Sequence, residues 1–257
     1  MDIKEFLQVK NKNFKRHPWE LARLKMLSFF ISKNKQPEAI TDIGSGDAFL
    51  ASQIASHYPQ STVMAIDINY TPELIKEFTL SKPENLFFYT DIGSVPGTSN
   101  IDMVLLMDVL EHLKDPGLLL QQIIDLAAVS SKTIFIITVP AYQGLFSQHD
   151  KNLGHFRRYN LSALNKLLKP FSFKINRSGY CFNSLILFRL LQLLKEKITG
   201  NQKKDSNGIH NWKGKKWMTT LITTLFWIEF KISWYLARIG IKLPGLSCYI
   251  ICHPYPL

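Results

Sequence analysis

The last third of this 257-residue chain is short of acids. Residues 169–257 hold 14 Lys/Arg against 3 Asp/Glu, whereas residues 1–168 hold 17 of each, so the whole net charge of +11 lies in the C-terminal third. Such an uneven balance points to an anionic partner for that region alone, either a membrane surface or nucleic acid. Cysteine is scarce too. Cys181, Cys248 and Cys252 form no CxxC pair and make an odd number, which argues against a disulfide scaffold and for buried thiols in a reducing compartment. The first residues, Met1-Asp2-Ile3-Lys4-Glu5, carry acids and lead into no apolar stretch of ~7–15 residues, so no secretory signal and a cytoplasmic location are expected. An uncharged apolar run long enough to span a bilayer is also missing. Trp217–Ile239 has the length, but it carries Glu229 and Lys231 near its middle, each costing ~2.5–3.5 kcal/mol on insertion. With 46% hydrophobic residues, the chain still has ample material for a sizeable core.

What the sequence does contain is a strand, a tight turn and a helix at residues 40–55. Ile40-Thr41-Asp42-Ile43 is a short β run, Gly44 and Gly46 follow at spacing two, and a helical pattern begins at Phe49. Glycines there let the backbone bend sharply and approach a ligand, and the helix offers free N–H groups at its start. The turn can therefore cradle a nucleotide. A dinucleotide fingerprint would place a third glycine or alanine at position 49, which is Phe49, so a hydride-transfer cofactor is disfavoured.

Further strands follow in order. Thr62–Asp67 ends in an acid about 20 residues past the turn, where a carboxylate can grip both ribose hydroxyls. Asn85–Asp91 ends in a third acid. Ile101–Met107 is the fourth strand, and Thr133–Val139 reads as a central parallel strand, apolar apart from its threonines. Phe171–Ile175 and Leu246–Cys252 are strands six and seven. Ahead of them all, residues 3–36 read as helices, with Pro18 suited to a first turn and Glu20 to the positive helix start.

Two stretches carry chemistry beyond the turn. After the fourth strand, Asp108, Glu111 and His112 are spaced i, i+3, i+4, so on a helical turn they share one face. After the fifth, Pro140-Ala141-Tyr142 leads to His149, Asp150, His155, Arg157, Arg158 and Tyr159 within eleven residues. Arginines need anions or carbonyls, and histidines act near neutral pH. Between strands six and seven, Phe182–Leu194 is a largely apolar run broken by the charge of Arg189, Asn201–Lys216 is polar and basic and reads as a linker, and Trp217–Ile239 is the second apolar run.

Asp42-Ile43-Gly44-Ser45-Gly46 after a strand resembles motif I of the class I S-adenosylmethionine (SAM)-dependent methyltransferases. Asp108-Val109-Leu110-Glu111-His112-Leu113 resembles the matching motif of the ubiquinone-biosynthesis-type O-methyltransferases. His17-Pro18-Trp19-Glu20 with Arg23, and Gly154-His155-Phe156-Arg157-Arg158-Tyr159, are similar to segments of a bacterial branch whose members often accompany glycan, lipid or polyene pathways. The resemblance covers most of residues 17–180 and the last strand. It implies a Rossmann-like α/β fold with a seven-stranded sheet, six strands parallel and one antiparallel, the last inserted between five and six, and a helical insertion between strands six and seven. The implied segments are an N-terminal helical lid at 1–36, a SAM-binding core at 37–179, the basic apolar insertion at 180–245 and the last strand at 246–257.

The same resemblance implies SAM as cofactor, with Asp42, Gly44, Gly46, Asp67, Asp91 and Asp108 around it, Asp91 taking the adenine amino group. Some relatives, including the small-RNA 2′-O-methyltransferases, hold a divalent metal on the matching Glu and His and a further His. Here Asp108 replaces a Glu of that set, so no metal is expected, and Asp108, Glu111, His112 and His155 would be its ligands if one bound. Methyl transfer to a hydroxyl needs alignment and removal of a proton. His155 or His149 is the expected base, with Asp150 as orienting partner, and His112, Tyr142, Arg157, Arg158 and Tyr159 are expected on the acceptor side. The expected acceptor is amphiphilic, at an anionic membrane surface on the cytoplasmic face. The rivals are a nucleic-acid methyltransferase, disfavoured by the lack of an Asn/Asp-Pro-Pro-Tyr motif, and a membrane-binding protein that keeps the fold without catalysis.

Overall fold

The computed structural model describes residues 15–95, 100–199 and 212–255, together with residues 3, 6 and 7. Parts of the expected lid (residues 8–14 among them) and of the expected linker (200–211) lie outside the described residues.

Seven strands form one sheet in the order β3-β2-β1-β4-β5-β7-β6. They are β1 (Ala39–Ile43), β2 (Thr62–Ile66), β3 (Leu86–Tyr89), β4 (Met103–Met107), β5 (Ile134–Pro140), β6 (Phe173–Cys181) and β7 (Ser247–Pro254). Neighbours from β3 to β5 pair in parallel, and β7 runs antiparallel to both β5 and β6. The helices are α1 (Pro18–Ser32), α2 (Phe49–His57), α3 (Pro72–Thr79), α4 (Pro116–Ile124), α5 (Gln148–Asn152), α6 (Leu161–Leu168), α7 (Asn183–Thr199) and α8 (Lys216–Arg238). The predicted architecture is therefore present, with two helices between β6 and β7 among the described residues.

Alternation along the strands builds two cores, because successive side chains point to opposite faces. Met103 and Leu105 of β4, Ile136 of β5 and Tyr249 of β7 enter one cluster, with α1, α2 and α8. Val104 and Leu106, Phe135 and Ile137, Cys248 and Ile250 enter the other, with α4 and α6. The three cysteines are buried and unbridged. On the first face α8 packs along α1 through aromatic rings. Phe30 contacts Phe230, Trp234 and Tyr249 at centroid distances of 5.5, 5.4 and 5.1 Å.

Strand six is longer than its apolar residues indicate. It runs to Cys181, through Lys174, Asn176, Arg177 and Ser178, with a register irregularity between Ile175 and Arg177. Polarity does not end it because β6 is the sheet edge, where charged side chains face water and discourage edge-to-edge pairing. Among the described residues no helix is long and apolar enough to cross a membrane.

Candidate active site

The strand order reverses between β1 and β4, and open α/β sheets bind ligands at the carboxyl ends beside that switch. Gly44 has φ +70° and Gly46 φ +56°. A Cβ on Gly44 would lie 2.7 Å from Val109 Cγ2, so both backbone conformation and space demand glycine there. The Gly46 N–H donates to Asp67 Oδ2 at 2.9 Å, and the Asn69 N–H donates to Asp67 Oδ1 at 2.9 Å. Asp67 thus clamps the turn from the end of β2.

Asp42, Asp47 and Asp67 are all buried around this turn, and Asp42 Oδ2 meets no hydrogen-bond donor among the described residues. Burial, with Asp67 and Asp47 nearby, raises the Asp42 carboxyl from 3.8 to about 7. Arg16 reaches Asp47 and lies over the Phe49 ring at 4.1 Å. Asp91 is exposed at the end of β3 and caps the following turn, accepting from the Ser94 N–H at 3.0 Å.

Asp108 follows β4 with φ +59°, a left-handed conformation that costs about 1–3 kcal/mol at a residue other than glycine. Its carboxylate accepts from the Thr138 hydroxyl at 2.9 Å and pairs with Arg23 of α1. Burial works to raise its pKa, but Arg23 and Thr138 outweigh it and hold the carboxyl below its ordinary range. The expected shared face is corrected here. The left-handed turn separates Asp108 from the short helical turn Leu110–His112, and its side chain is held by Thr138 of β5 and Arg23 of α1.

Glu111, His112 and His155 do converge: one ligand atom from each lies within 4.8 Å of the others. The His112 and His155 rings meet edge to face at 4.6 Å. Glu111 is fully buried, and neither of its carboxylate oxygens meets a donor from another residue among the described residues. Burial and the Asp108 charge push its carboxyl well above the usual range. Of the four residues named for a metal, three come together and Asp108 does not. An orphaned carboxylate facing two imidazoles fits a divalent cation of nitrogen and oxygen preference.

Behind His155 stands Asp150. Its Oδ1 lies 3.1 Å from His155 Nδ1 and accepts from Arg158 Nε at 2.7 Å, while Oδ2 accepts from the Ser147 N–H at 2.9 Å. Burial opposes ionisation, but the bonds from His155 and Arg158 prevail and hold Asp150 far below the normal carboxylate range. His149 is half-buried on the same loop. Burial, then the Arg189 cation, lower its pKa.

Three expected acceptor contacts need revision. Arg157 Nη2 donates to the carbonyls of Leu113 and Lys114 at 3.2 and 2.7 Å, stapling two loops. Arg158 is buried on Asp150 and the Ala141 carbonyl. Tyr159 is buried, bridges to Ala141, and donates its hydroxyl to the Leu110 carbonyl at 3.3 Å. Each had a cation or a ring hydroxyl to offer, but local carbonyls and Asp150 use it. Tyr142 is half-buried against the second core, with φ +61° and its ring stacked 5.2 Å from that of Tyr180. The sequence reading assigned no role to Arg16, Thr138 or Tyr180. Arg23 and Arg189 did leave signals, as a cation one turn past Trp19 and as the single charge in an apolar run.

The carboxyl edge of the sheet thus carries an acid-lined glycine turn after β1 and a histidine–carboxylate cluster after β4 and β5. A family model described as "Methyltransferase domain" matches residues 15–177. The chain belongs to that family, and S-adenosylmethionine is the methyl donor the assignment implies. No curated protein sequence matches the chain.

Solved structures share the fold at low identity. A putative sarcosine dimethylglycine methyltransferase from Galdieria sulphuraria is 16% identical with a TM-score of 0.52, covering 92% of this chain and 84% of that one. Coclaurine N-methyltransferase, bound to N-methylheliamine and SAH (S-adenosylhomocysteine), is 15% identical with a TM-score of 0.54, covering 91% and 72%. The [4+2]-cyclase SpnF is 13% identical with a TM-score of 0.55, covering 95% and 84%. The last name shows that the fold alone does not dictate the reaction.

Proposed function

We propose that this chain transfers the methyl group of SAM to a hydroxyl of an amphiphilic acceptor, lipid-linked, aromatic polyene or glycan, at an anionic membrane surface. The observation that carries it is the pairing of His155 with Asp150 beside Glu111 and His112, on the same sheet edge as the glycine turn. SAM supplies an electrophilic methyl on a cationic sulfur. The buried Asp42, one oxygen of which meets no donor among the described residues, favours such a cation, and Gly44 and Gly46 give its backbone cradle. His155, its Nδ1 held by Asp150, keeps Nε2 for the acceptor proton, and Tyr142 stands on the acceptor side. A general base of this kind contributes ~10²–10⁴-fold.

The surface supports the membrane half of the reading. Leu221, Leu225, Ile228, Ile232 and Tyr235 are exposed at steps of three and four along α8, and Leu187, Leu190, Leu191 and Leu194 are exposed on α7. Exposed Lys213, Lys215 and Lys216 lie at one end of α8, with Arg238 and Lys242 at the other. Apolar stripes between cations suit an interfacial helix, and each cation near anionic lipid adds ~1 kcal/mol.

The test incubates the chain with isotopically labelled SAM and total membrane extract and identifies the labelled product by mass spectrometry. A methyl ether on a lipid or pigment is expected; labelled RNA, or transfer that survives changing both His149 and His155 to alanine, refutes the reading. The orphaned Glu111 favours a second reading of the same cluster, a divalent cation held by Glu111, His112 and His155 with Asp150 orienting His155 from behind. Such an ion would act as a Lewis acid on the acceptor oxygen. Calorimetry with Mg²⁺, Mn²⁺ and Zn²⁺ on the wild type and Glu111→Gln decides it.

A further inference from the structure

Helix α7 is built inside out. Over Asn183–Leu194 its one buried residue is Arg189, 6% exposed, while its leucines at 187, 190, 191 and 194 are 43–65% exposed. Removing a charge from water costs several kcal/mol unless partners repay it, so the partners show what the burial accomplishes. Arg189 Nη2 donates to Ser147 Oγ and to Asp150 Oδ2, the latter at 3.4 Å, and Nη1 donates to Gln192 Oε1 at 2.9 Å. Ser147 and Asp150 form the capping box of α5, which leads directly to His155.

Asp150 already has Arg158 and the Ser147 N–H. A further donor from a helix 39 residues away in sequence is therefore not needed to neutralise it. What the extra contact adds is a fixed distance between the insertion and the loop. We propose that Arg189 is a positioning residue for methyl transfer: it fixes the Ser147–Asp150 turn and, through Asp150, the ring of His155. The helix whose leucines face outward is then a working part of the site. This inference rests on the reading of His155 given above. His149 reports on the same contact, because the groups around it are Asp150 and His155 on its own loop, Arg158, and Arg189 from α7.

The full-length Arg189→Lys and Arg189→Gln variants test it. Calorimetry should find S-adenosylhomocysteine affinity unchanged in both. Transfer from labelled SAM to total membrane lipid extract should fall about 10- to 100-fold in Arg189→Gln, the usual effect of losing an outer-shell partner. Arg189→Lys should recover part of it, because it keeps the charge but not the planar fork. The His149 resonance, followed by NMR titration, should have a higher midpoint in Arg189→Gln, since a neighbouring cation has gone. Wild-type transfer by Arg189→Gln overturns the proposal, as does a parallel loss of melting temperature, cofactor affinity and transfer in both variants. If the unmodified chain binds S-adenosylhomocysteine but methylates nothing in the extract, the acceptor class fails instead. The His149 midpoint then decides alone: a rise supports the Arg189 placement and an unmoved midpoint refutes it.

Discussion

The glycine turn after β1 and the loop after β5 lie on the same edge of one sheet, yet they are held in different ways. Around the turn, backbone N–H groups and closely set acids do the work, and Asp42 keeps a buried oxygen that meets no donor among the described residues. In the loop, one carboxylate, Asp150, gathers two arginines, a histidine and a backbone N–H. The first arrangement leaves a carboxylate oxygen unpaired among the described residues; in the second both carboxylate oxygens are engaged. A methyl donor common to many enzymes can be met by a short local motif, whereas the cluster proposed above for the acceptor is assembled from residues 111 to 189 across several elements.

If the two ends are separable, His155→Ala should lower transfer by about 10²–10⁴-fold and leave S-adenosylhomocysteine affinity intact; equal loss of both would join the ends into one unit. At the turn, pH sharpens the contrast. The folded chain binds the Asp42 proton more tightly than the unfolded chain, with the group raised from 3.8 to about 7. Its contribution is therefore full below the unfolded value and is lost as pH rises through about 7, a change on the order of 4 kcal/mol. Urea titrations of the wild type and Asp42→Asn across that window should show the slope in the wild type and its loss in the variant. Gly44→Ala should destabilise the chain by about 1–3 kcal/mol through its left-handed backbone and the Val109 contact, while leaving the His149 titration unmoved. Smallest in stability is the change Leu187→Glu with Leu191→Glu. Both sites are exposed, so the melting free energy should move by no more than about 0.5 kcal/mol, yet flotation with phosphatidylglycerol vesicles should be lost.

The sheet was legible in the sequence because its strands are apolar runs ending in acids at regular intervals. The place of Asp67 at the end of β2 could be read from its spacing, and β1 to β5 as successive strands, whereas the place of β7 between β5 and β6 came from the resemblance. The length of β6 was not legible, since an edge strand keeps Lys174 and Arg177 without breaking its ladder. The helical spacing at Asp108 misled, because a single left-handed residue removes it from the turn that Glu111 and His112 share. Arg157, Arg158 and Tyr159 looked like acceptor contacts by composition. Composition does not show that Leu113, Lys114, Ala141 and Leu110 carbonyls lie within their reach. Arg189 was visible only as an interruption, and its meaning depends on a contact 39 residues distant.

The place of β7 in the sheet also sets an order of assembly. β6 spans Phe173–Cys181, and in the sheet its partner is β7, which starts at Ser247. During synthesis β6 must therefore emerge and wait while both insertion helices are made, and β5 keeps an open edge for the same interval. Such long-range pairing is slow to form and leaves hydrophobic strand edges exposed meanwhile. The exposed charges of β6 are placed where they protect a nascent chain whose sheet is still open.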